Sequence, residues 1–281
     1  MEKLKSLIYR LKKSPLTIVG GVIITLLIVT AIFAPYIAPY DPLDISPPDR
    51  LKPPSAEHFF GTDTAGRDMY SRIIYGSRLS IQIGVTVVLF SAVFGSIIGI
   101  ISGYVGGVFD DIIMRITDVF FSVPYLILAM AIAAALGPSL INTMISLSIV
   151  WWPIYTRIAR AQALQIRSLT FVEVSQGLGA KRMWIIMKHI LPNSLSPIIV
   201  QASLDFGNAI MYAAALSFIG LGAQPPTPEW GAMISTGRHF LRDSWWYPTF
   251  PGIAIFITVI GFNLLGDGLR DMLDPKQREI E

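Results

Sequence analysis

Residues that could carry out chemistry are scarce in this chain of 281 residues, and one of them stands out. Asp205 lies inside a long apolar stretch, with Asn208 three residues further on. A carboxylate at the centre of a bilayer costs about 2.5–3.5 kcal/mol on insertion scales, so it must face protein or water. It could bind a polar solute along a path through the membrane. Alternatively, it could make a hydrogen bond between helices, with Asn208 or Asn263 as the partner.

A second place for chemistry is the polar loop at residues 160–189, which separates two apolar stretches. Thr170 and Glu173 have the spacing of a capping box, which predicts the start of a short helix. Gly177 and Gly179 predict its end, because glycine readily adopts the left-handed conformation that follows a helix. The sequence therefore predicts a short, partly apolar helix. Such a helix either binds a partner protein or lies on the lipid surface.

Motifs for enzymatic catalysis are missing. The chain has no G-x-x-x-x-G-K-S/T loop for nucleotide phosphates, no H-E-x-x-H metal motif and no G-x-S-x-G nucleophile elbow. It also has no cysteine, which excludes disulfides, thiolate metal sites and thiol catalysis. We therefore expect a protein that is not an enzyme and that holds neither a metal nor another cofactor. Any ATP hydrolysis must take place on another polypeptide.

The composition indicates a polytopic membrane protein. Charged residues make up 15% of the chain, against about 25% in an ordinary globular protein, and hydrophobic residues make up 53%. The charge-free stretches run between Lys13 and Asp41, Arg78 and Asp110, Asp118 and Arg157, and Asp243 and Asp267. A bilayer core needs about 20 apolar residues in a helix, so each stretch can hold at least one span. The basic residues form no aromatic-laced patch, and we expect no nucleic-acid partner.

The longest charge-free stretch is nearly twice as long as one span requires, and Gly137-Pro138 breaks it in the middle. The sequence therefore predicts an all-α membrane protein with six transmembrane helices. Their approximate bounds are residues 16–37, 79–103, 113–136, 140–159, 194–219 and 251–266. The remaining segments are a tail at 1–15, an outer loop at 38–78 and a tail at 269–281. The last five helices form a core at 79–268, which includes the inner loop at 160–189.

The basic residues predict the orientation. Most of the 22 Lys and Arg residues fall in the two tails and in the loop at 160–189, which this scheme places on one side. Positively charged segments are retained in the cytoplasm, so both termini are predicted to be cytoplasmic. Five basic residues in the outer loop run against this bias.

Small residues and charges predict contacts between helices. Gly95, Gly99 and Gly103 recur every four residues along the second span, which places them on one helix face. That face predicts close packing against a helix of the same chain or of another subunit. Asp118 and Arg115 have helical spacing and are predicted to neutralise each other.

The outer segments carry two further features. The turn at Gly61-Thr-Asp-Thr-Ala-Gly-Arg-Asp68 fits either a contact with an external protein or a local brace. Trp245 and Trp246 are predicted to anchor the chain at the membrane interface, where tryptophan is enriched.

The inner loop resembles a known pattern. Glu173, Gly179 and Leu191-Pro192 look like the cytoplasmic E-A-A…G…I-x-L-P loop of ABC-transporter permeases. Three positions of that pattern carry other residues here, namely Val174, Ser175 and His189. Further stretches, in order along almost the whole chain, are similar to the C-type permease subunit of dipeptide, oligopeptide and nickel importers. They are Gly61–Asp68, Arg72–Arg78, His189–Asn193, Leu216–Gly222, Pro228–Gly231 and Asn263–Pro275.

The resemblance implies the six-span fold of a type I ABC importer permease, a multi-pass protein of the plasma (inner) membrane of a bacterium or archaeon. In that family a short loop helix docks on a cytoplasmic ATPase and passes the closure of the ATPase dimer to the spans. Here this coupling helix would be about Leu169–Leu178, within residues 169–179. The implied ATPase-coupling residues are Thr170, Glu173, Gly177, Gly179, Leu191 and Pro192.

The same resemblance implies the partners. They would be a homologous B-type permease subunit in a heterodimer, two cytoplasmic ABC ATPase subunits, an external substrate-binding protein and the lipid membrane. The expected cargo is a dipeptide or oligopeptide, with Asp205 and Asn208 as candidates for the translocation path. The alternative is a secondary transporter or channel that uses Asp205 as an ion or proton site. An inverted repeat, which is common in secondary transporters, is not evident in the sequence.

Overall fold

The computed structural model describes residues 15–273, which form helices and the turns that connect them. The two tails predicted at residues 1–15 and 269–281 lie mostly outside these bounds. One five-residue segment, Ile186–Ile190, is π-helical. The α-helices are α1 (Pro15–Ile32), α2 (Ala34–Ile37), α3 (Met69–Val105), α4 (Gly107–Phe121), α5 (Tyr125–Leu136), α6 (Leu140–Arg167), α7 (Thr170–Gly177), α8 (Arg182–Ile185), α9 (Leu191–Phe218), α10 (Trp230–Gly237) and α11 (Trp246–Leu273).

Four helical segments among residues 15–273 are long and apolar enough to cross a membrane, and a bent pair can supply a fifth. The bent pair is α4 and α5, which meet at 88°. The four segments are Pro15–Ile32, Met69–Val105, Arg182–Phe218 and Trp246–Met272. The prediction of a helical membrane protein is therefore confirmed, whereas the count of six spans is not reached by these criteria. The predicted span that does not meet these criteria is the one at 140–159, which lies within α6.

α6 is long enough to cross a bilayer, but its average hydropathy is lower than that of the four apolar segments. Its 28 residues correspond to about 42 Å of helix. It packs against α3, α4, α5 and α9, and 14 of its 28 residues are buried. Several of its hydroxyl side chains bond to the carbonyl four residues earlier, as Ser146 bonds to Asn142 and Ser148 to Met144. A helix enclosed in this way does not need an apolar surface, which is why its hydropathy is low.

Several helix boundaries differ from the prediction for local reasons. The first helix ends at Ile32, and the separate turn α2 follows at Ala34–Ile37 with Pro35 as its second residue. α3 begins at Met69, ten residues before the predicted start, and the side chain of Asp68 caps it by accepting from the backbone N–H of Ser71. The predicted single span at 113–136 is two helices, because Pro124 precedes α5 and breaks the chain direction.

The three glycines of the second span lie against the backbone of α6. A Cβ on Gly95 would be 2.3 Å from the carbonyl oxygen of Trp152, and one on Gly99 would be 2.3 Å from that of Thr156. A Cβ on Gly103 would be 2.7 Å from the carbonyl oxygen of Arg160. These distances are far below van der Waals contact. At these three glycines the backbone of α3 therefore lies directly against the backbone of α6, with no α3 side chain between them.

Substitution of Gly99 by alanine is expected to force α3 and α6 apart. Alanine favours a helix over glycine by about 1 kcal/mol, but overpacking against a backbone oxygen costs about 1–3 kcal/mol. We expect Gly99→Ala to lower the melting temperature of the purified protein in detergent.

The matched control is Gly21→Ala, because a Cβ on Gly21 meets nothing within 4 Å among the described residues. It should leave the melting temperature unchanged or raise it. Equal melting temperatures for the two variants would contradict the close contact at Gly99.

Candidate functional site

The inner loop folds into the short helix α7 and a sharp exit. Thr170 is the first helical residue, and Leu169 holds the N-cap position without a side-chain hydrogen bond. The capping box predicted from Thr170 and Glu173 is therefore wrong, because the threonine lies one residue too late to cap the helix. Gly177 is the last helical residue. Gly179 has a φ of +83°, which a residue with a side chain rarely adopts, so the glycine permits the turn.

One face of α7 is fixed to the body of the protein and the other is free. Val172 is fully buried and packs in a cluster with Ile166 of α6 and Ile185 of α8. The opposite face presents large apolar side chains to solvent. Among the described residues these are Phe171, Val174 and Leu178, the last of which is 84% exposed. An apolar surface on a helix held this firmly is suited to a protein partner.

The segment after α7 returns to the same cluster. Leu191 packs on it and, with Pro192, begins α9 directly after the π-helical segment at Ile186–Ile190. The His189 ring lies 5.4 Å from the Phe171 ring in a tilted arrangement and 5.1 Å from the Trp184 ring in an edge-on arrangement, measured between centroids. His189 therefore packs against one side chain of the exposed apolar face of α7. The predicted coupling residues thus fall into two groups, one in the α7 turn and one at the start of α9.

Asp205 is almost completely buried between α6 and α9. Its side chain is held by three hydrogen-bonding neighbours. Tyr155 of α6 donates its hydroxyl to Oδ2 at 2.9 Å, and Gln201 donates its amide to Oδ1 at 3.0 Å. Asn208 is a further hydrogen-bonding neighbour. This geometry favours the hydrogen bond between helices over direct contact with a solute. The interhelical partner, Tyr155, was not predicted, because it is 50 residues away in the sequence.

Two further ion pairs join α4 to α6. Asp118 pairs with Arg157, not with Arg115 as predicted. Asp110 accepts from both Nε and Nη2 of Arg160 in a bidentate pair, at 2.6 and 2.5 Å. The spacing rule within one helix failed for Asp118 because the partner lies on a neighbouring helix. These pairs attach α4 to the end of α6 from which α7 departs.

The outer turn at 61–68 forms a buried brace. Asp63 is fully buried and accepts from the backbone N–H groups of Ala65 and Arg67, at 2.7 and 3.0 Å. Its other oxygen accepts from Nε of Arg67 at 2.7 Å. Arg72 also lies beside Asp63 and donates to the carbonyl oxygens of Pro42 and Pro226, at 2.8 and 3.2 Å. Of the two alternatives, the buried contacts favour the local brace.

The segment before α11 is tied to the same brace. Glu229 is buried and caps α10 by accepting from the backbone N–H groups of Gly231 and Ala232. Burial raises the pKa of the Glu229 carboxyl, against the opposing effect of these two hydrogen bonds. Trp246 is buried and donates to the carbonyl oxygen of Thr62 at 3.2 Å. The prediction of an interfacial anchor is therefore wrong for Trp246, whereas Trp245 is 51% exposed.

Two family models match the sequence. The model described as "Binding-protein-dependent transport system inner membrane component" matches residues 95–279. The model described as "N-terminal TM domain of oligopeptide transport permease C" matches residues 4–54. Together the two matches cover all of the chain except residues 1–3, 55–94 and 280–281.

Curated relatives match almost the whole chain. The probable D,D-dipeptide transport system permease protein DdpC of Escherichia coli is 54% identical, covering 96% of this chain and 91% of the relative. The dipeptide transport system permease protein DppC of Alkalihalophilus pseudofirmus is 50% identical, with coverages of 96% and 88%. The glutathione transport system permease protein GsiD of Shigella boydii is 44% identical, with coverages of 95% and 88%.

A solved structure has a similar fold. It is the inward-facing MetNI methionine ABC transporter, with a TM-score of 0.59 and 19% sequence identity. The match covers 73% of this chain and 98% of the solved chain. At this identity the likeness concerns the fold alone.

Substitution of Asp63 by asparagine is expected to destabilise the outer brace. The change leaves Arg72, which is buried, without its nearest negative charge. Breaking one partner of a buried ion pair costs about 3–5 kcal/mol. Asp63→Asn should therefore lower the melting temperature clearly.

Asp44→Asn is the matched control, because it removes the same charge from an exposed position of the same outer loop. The brace is refuted if both variants melt at the wild-type temperature.

Proposed function

Because the chain belongs to the family of binding-protein-dependent transport system inner membrane components, we propose that it forms the path for dipeptides or oligopeptides in an ATP-driven importer. The permease function follows from the family. The peptide class rests on relatives whose names specify D,D-dipeptides and dipeptides. A relative named for glutathione is only slightly less similar to this chain. The family therefore gives the permease function, whereas the peptide substrate is our proposal.

The observation that carries the mechanism is the free apolar face of α7. We propose that this face docks on a cytoplasmic ATPase subunit. α7 is well suited to transmit force because its inner face is fixed by Val172 while its outer face is available for contact. Glu173 lies in the first turn of α7, and the turn at Gly179 follows its end. Together these two positions set the orientation of α7 toward the ATPase.

The proposed assembly contains four further proteins and the membrane. They are a homologous B-type permease, two ABC ATPases and an external binding protein. In the proposed topology the chain has six spans, with α4 and α5 forming one bent span and α6 forming another. Both termini then lie in the cytoplasm of a bacterium or archaeon. The enclosed position of α6 supports its assignment as a span, since a helix surrounded by protein does not require an apolar exterior.

We propose that Asp205 acts on transport by holding α6 and α9 together. These two helices flank the loop that carries α7, so a displacement of α7 reaches both. The hydrogen bond from Tyr155 makes the pair move as one body at this level. The secondary-transporter alternative would require Asp205 to exchange ions or protons with a path, and the family match argues against it.

A charge on the free face of α7 is expected to prevent ATPase docking without unfolding the chain. Leu178→Asp places a carboxylate where we expect a buried apolar contact. The loss of one buried leucine corresponds to more than roughly tenfold in affinity. The measurement is the affinity of the purified permease pair for the ATPase.

Leu241→Asp is the control, because Leu241 is also exposed but lies in the outer segment. Equal ATPase affinity in the two variants would refute docking on α7.

Removal of the bond between α6 and α9 is expected to uncouple transport from ATP hydrolysis. Loss of a buried hydrogen bond costs about 1–3 kcal/mol. Tyr155→Phe removes the donor, and Asp205→Asn leaves one oxygen to accept from both Tyr155 and Gln201. Each variant should lower peptide uptake per ATP hydrolysed by roughly threefold to tenfold. Both quantities can be measured in proteoliposomes.

Tyr212→Phe is the matched control, since the Tyr212 hydroxyl makes no hydrogen bond within residues 15–273. If Asp205→Asn lowers uptake and Tyr155→Phe does not, Asp205 contacts the peptide directly. If neither variant differs from Tyr212→Phe, Asp205 has no part in transport.

A further inference from the structure

A cavity of about 260 Å³ lies behind α7, at the ends of α3 and α6. It is separate from the free apolar face of α7, because different side chains line it. We call it the arginine pocket, and its lining residues are Tyr104, Val105, Arg167, Gln176, Ala180 and Arg182. The pocket therefore collects residues from the end of α3, the end of α6, α7 and the start of α8.

The lining carries two positive charges and no negative charge. Arg167 donates from Nη1 to the carbonyl oxygen of Tyr104 at 2.9 Å, and its guanidinium lies 5.9 Å from the centre of the Tyr104 ring. These contacts orient the guanidinium and leave its other nitrogens free among the described residues. The Arg182 side chain has no hydrogen-bond or ion-pair partner within residues 15–273. This contrasts with Arg157 and Arg160, which both pair with aspartates.

Neutral donors complete the pocket. The Gln176 amide lies 3.5 Å from the Tyr104 hydroxyl, so the two groups meet only at the limit of hydrogen-bonding distance. Both can therefore turn toward a ligand at little cost. Two planar guanidinium groups with a hydroxyl and an amide form a donor set that matches the oxygens of a phosphate group.

We propose that the arginine pocket binds a phosphate group, carried either by the headgroup of an acidic phospholipid or by a free phosphate. Basic pockets between spans at the cytoplasmic surface bind such headgroups in general. The inference that the ligand is a phosphate group depends on the lining of the pocket alone. The inference that a bound lipid belongs to the cytoplasmic leaflet depends on the orientation in the proposed function.

A phosphate in this pocket would join three elements that otherwise meet through few polar contacts. Arg167 ends α6, Gln176 belongs to α7, and Arg182 begins the segment that leads to α9. Binding would therefore stiffen the support of α7. The phosphate site thus provides a way for the lipid or the cytoplasm to adjust the coupling of transport to ATP hydrolysis.

The test measures binding to the complete transporter, purified with its partner subunits. One arm titrates a short-chain phosphatidylglycerol in detergent, with phosphatidylcholine as the neutral reference. The other arm titrates inorganic phosphate. Arg182→Gln is the main variant, because Arg182 has no partner whose loss would disturb the described fold. We expect it to weaken binding by roughly tenfold, the value of one charge-assisted hydrogen bond.

Two further variants sharpen the test. Lys188→Gln removes the same charge from an exposed position that does not line the pocket, and it should bind as the wild type does. Arg182→Lys keeps the charge but loses the planar fork, so its affinity should lie between those of the wild type and Arg182→Gln. Selective binding of phosphatidylglycerol identifies the lipid as the source, and binding of inorganic phosphate identifies the free anion.

Two results would overturn the proposal. They are no binding of either probe to the complete transporter, and equal loss of binding in Lys188→Gln and Arg182→Gln. ATP-dependent peptide uptake by the same preparation tests the proposed function separately, because phosphate binding does not require transport.

Discussion

The fold depends on the enclosure of α6 by other helices. In a hydrocarbon environment every polar group needs a partner within the protein, and α6 carries many such groups. The glycines of α3 bring its backbone close enough for the Thr156 hydroxyl to reach the carbonyl oxygen of Gly95 at 3.0 Å. On other sides, Tyr155 reaches Asp205 and Arg160 reaches Asp110. Tight packing and the satisfaction of polar groups are thus one requirement, since a wider separation would break these contacts together.

The packing around α6 determines how α7 is attached to the rest of the protein. α6 ends at Arg167, three residues before α7 begins, and the segment from α8 to α9 returns to the same apolar cluster. α7 is therefore held at both ends by helices that are also tied to each other at Tyr155 and Asp205. A helix on one flexible connection would swing without moving the spans. One held at two points transmits a push to both α6 and α9.

The sequence predicted what depends on local pattern and missed what depends on distant partners. Long charge-free stretches predicted the long apolar helices, and the glycine at 179 predicted the end of α7, because hydropathy and backbone freedom are properties of single residues. Asn208 was predicted as a hydrogen-bonding neighbour of Asp205, but the interhelical partner Tyr155 was not, because it is 50 residues away. The predicted partner of Asp118 was wrong, because Arg157 is 39 residues away. A hydropathy criterion alone does not select α6 as a span. The absence of charged residues from its first half is what led to the prediction of a helix there.

The end that carries the turn at 61–68 and the end that carries α7 differ in rigidity, and this difference bears on how a movement would travel. At the first end, Arg72 bonds to two separate loops through Pro42 and Pro226, and Trp246 bonds to Thr62. At the other end, α7 presents an uncovered apolar face. Under the proposed docking on α7, a displacement of α7 would reach α6 and α9 while the contacts of Arg72 and Trp246 hold the opposite end. Those contacts resist the movement because leaving Arg72 buried without its partners is costly.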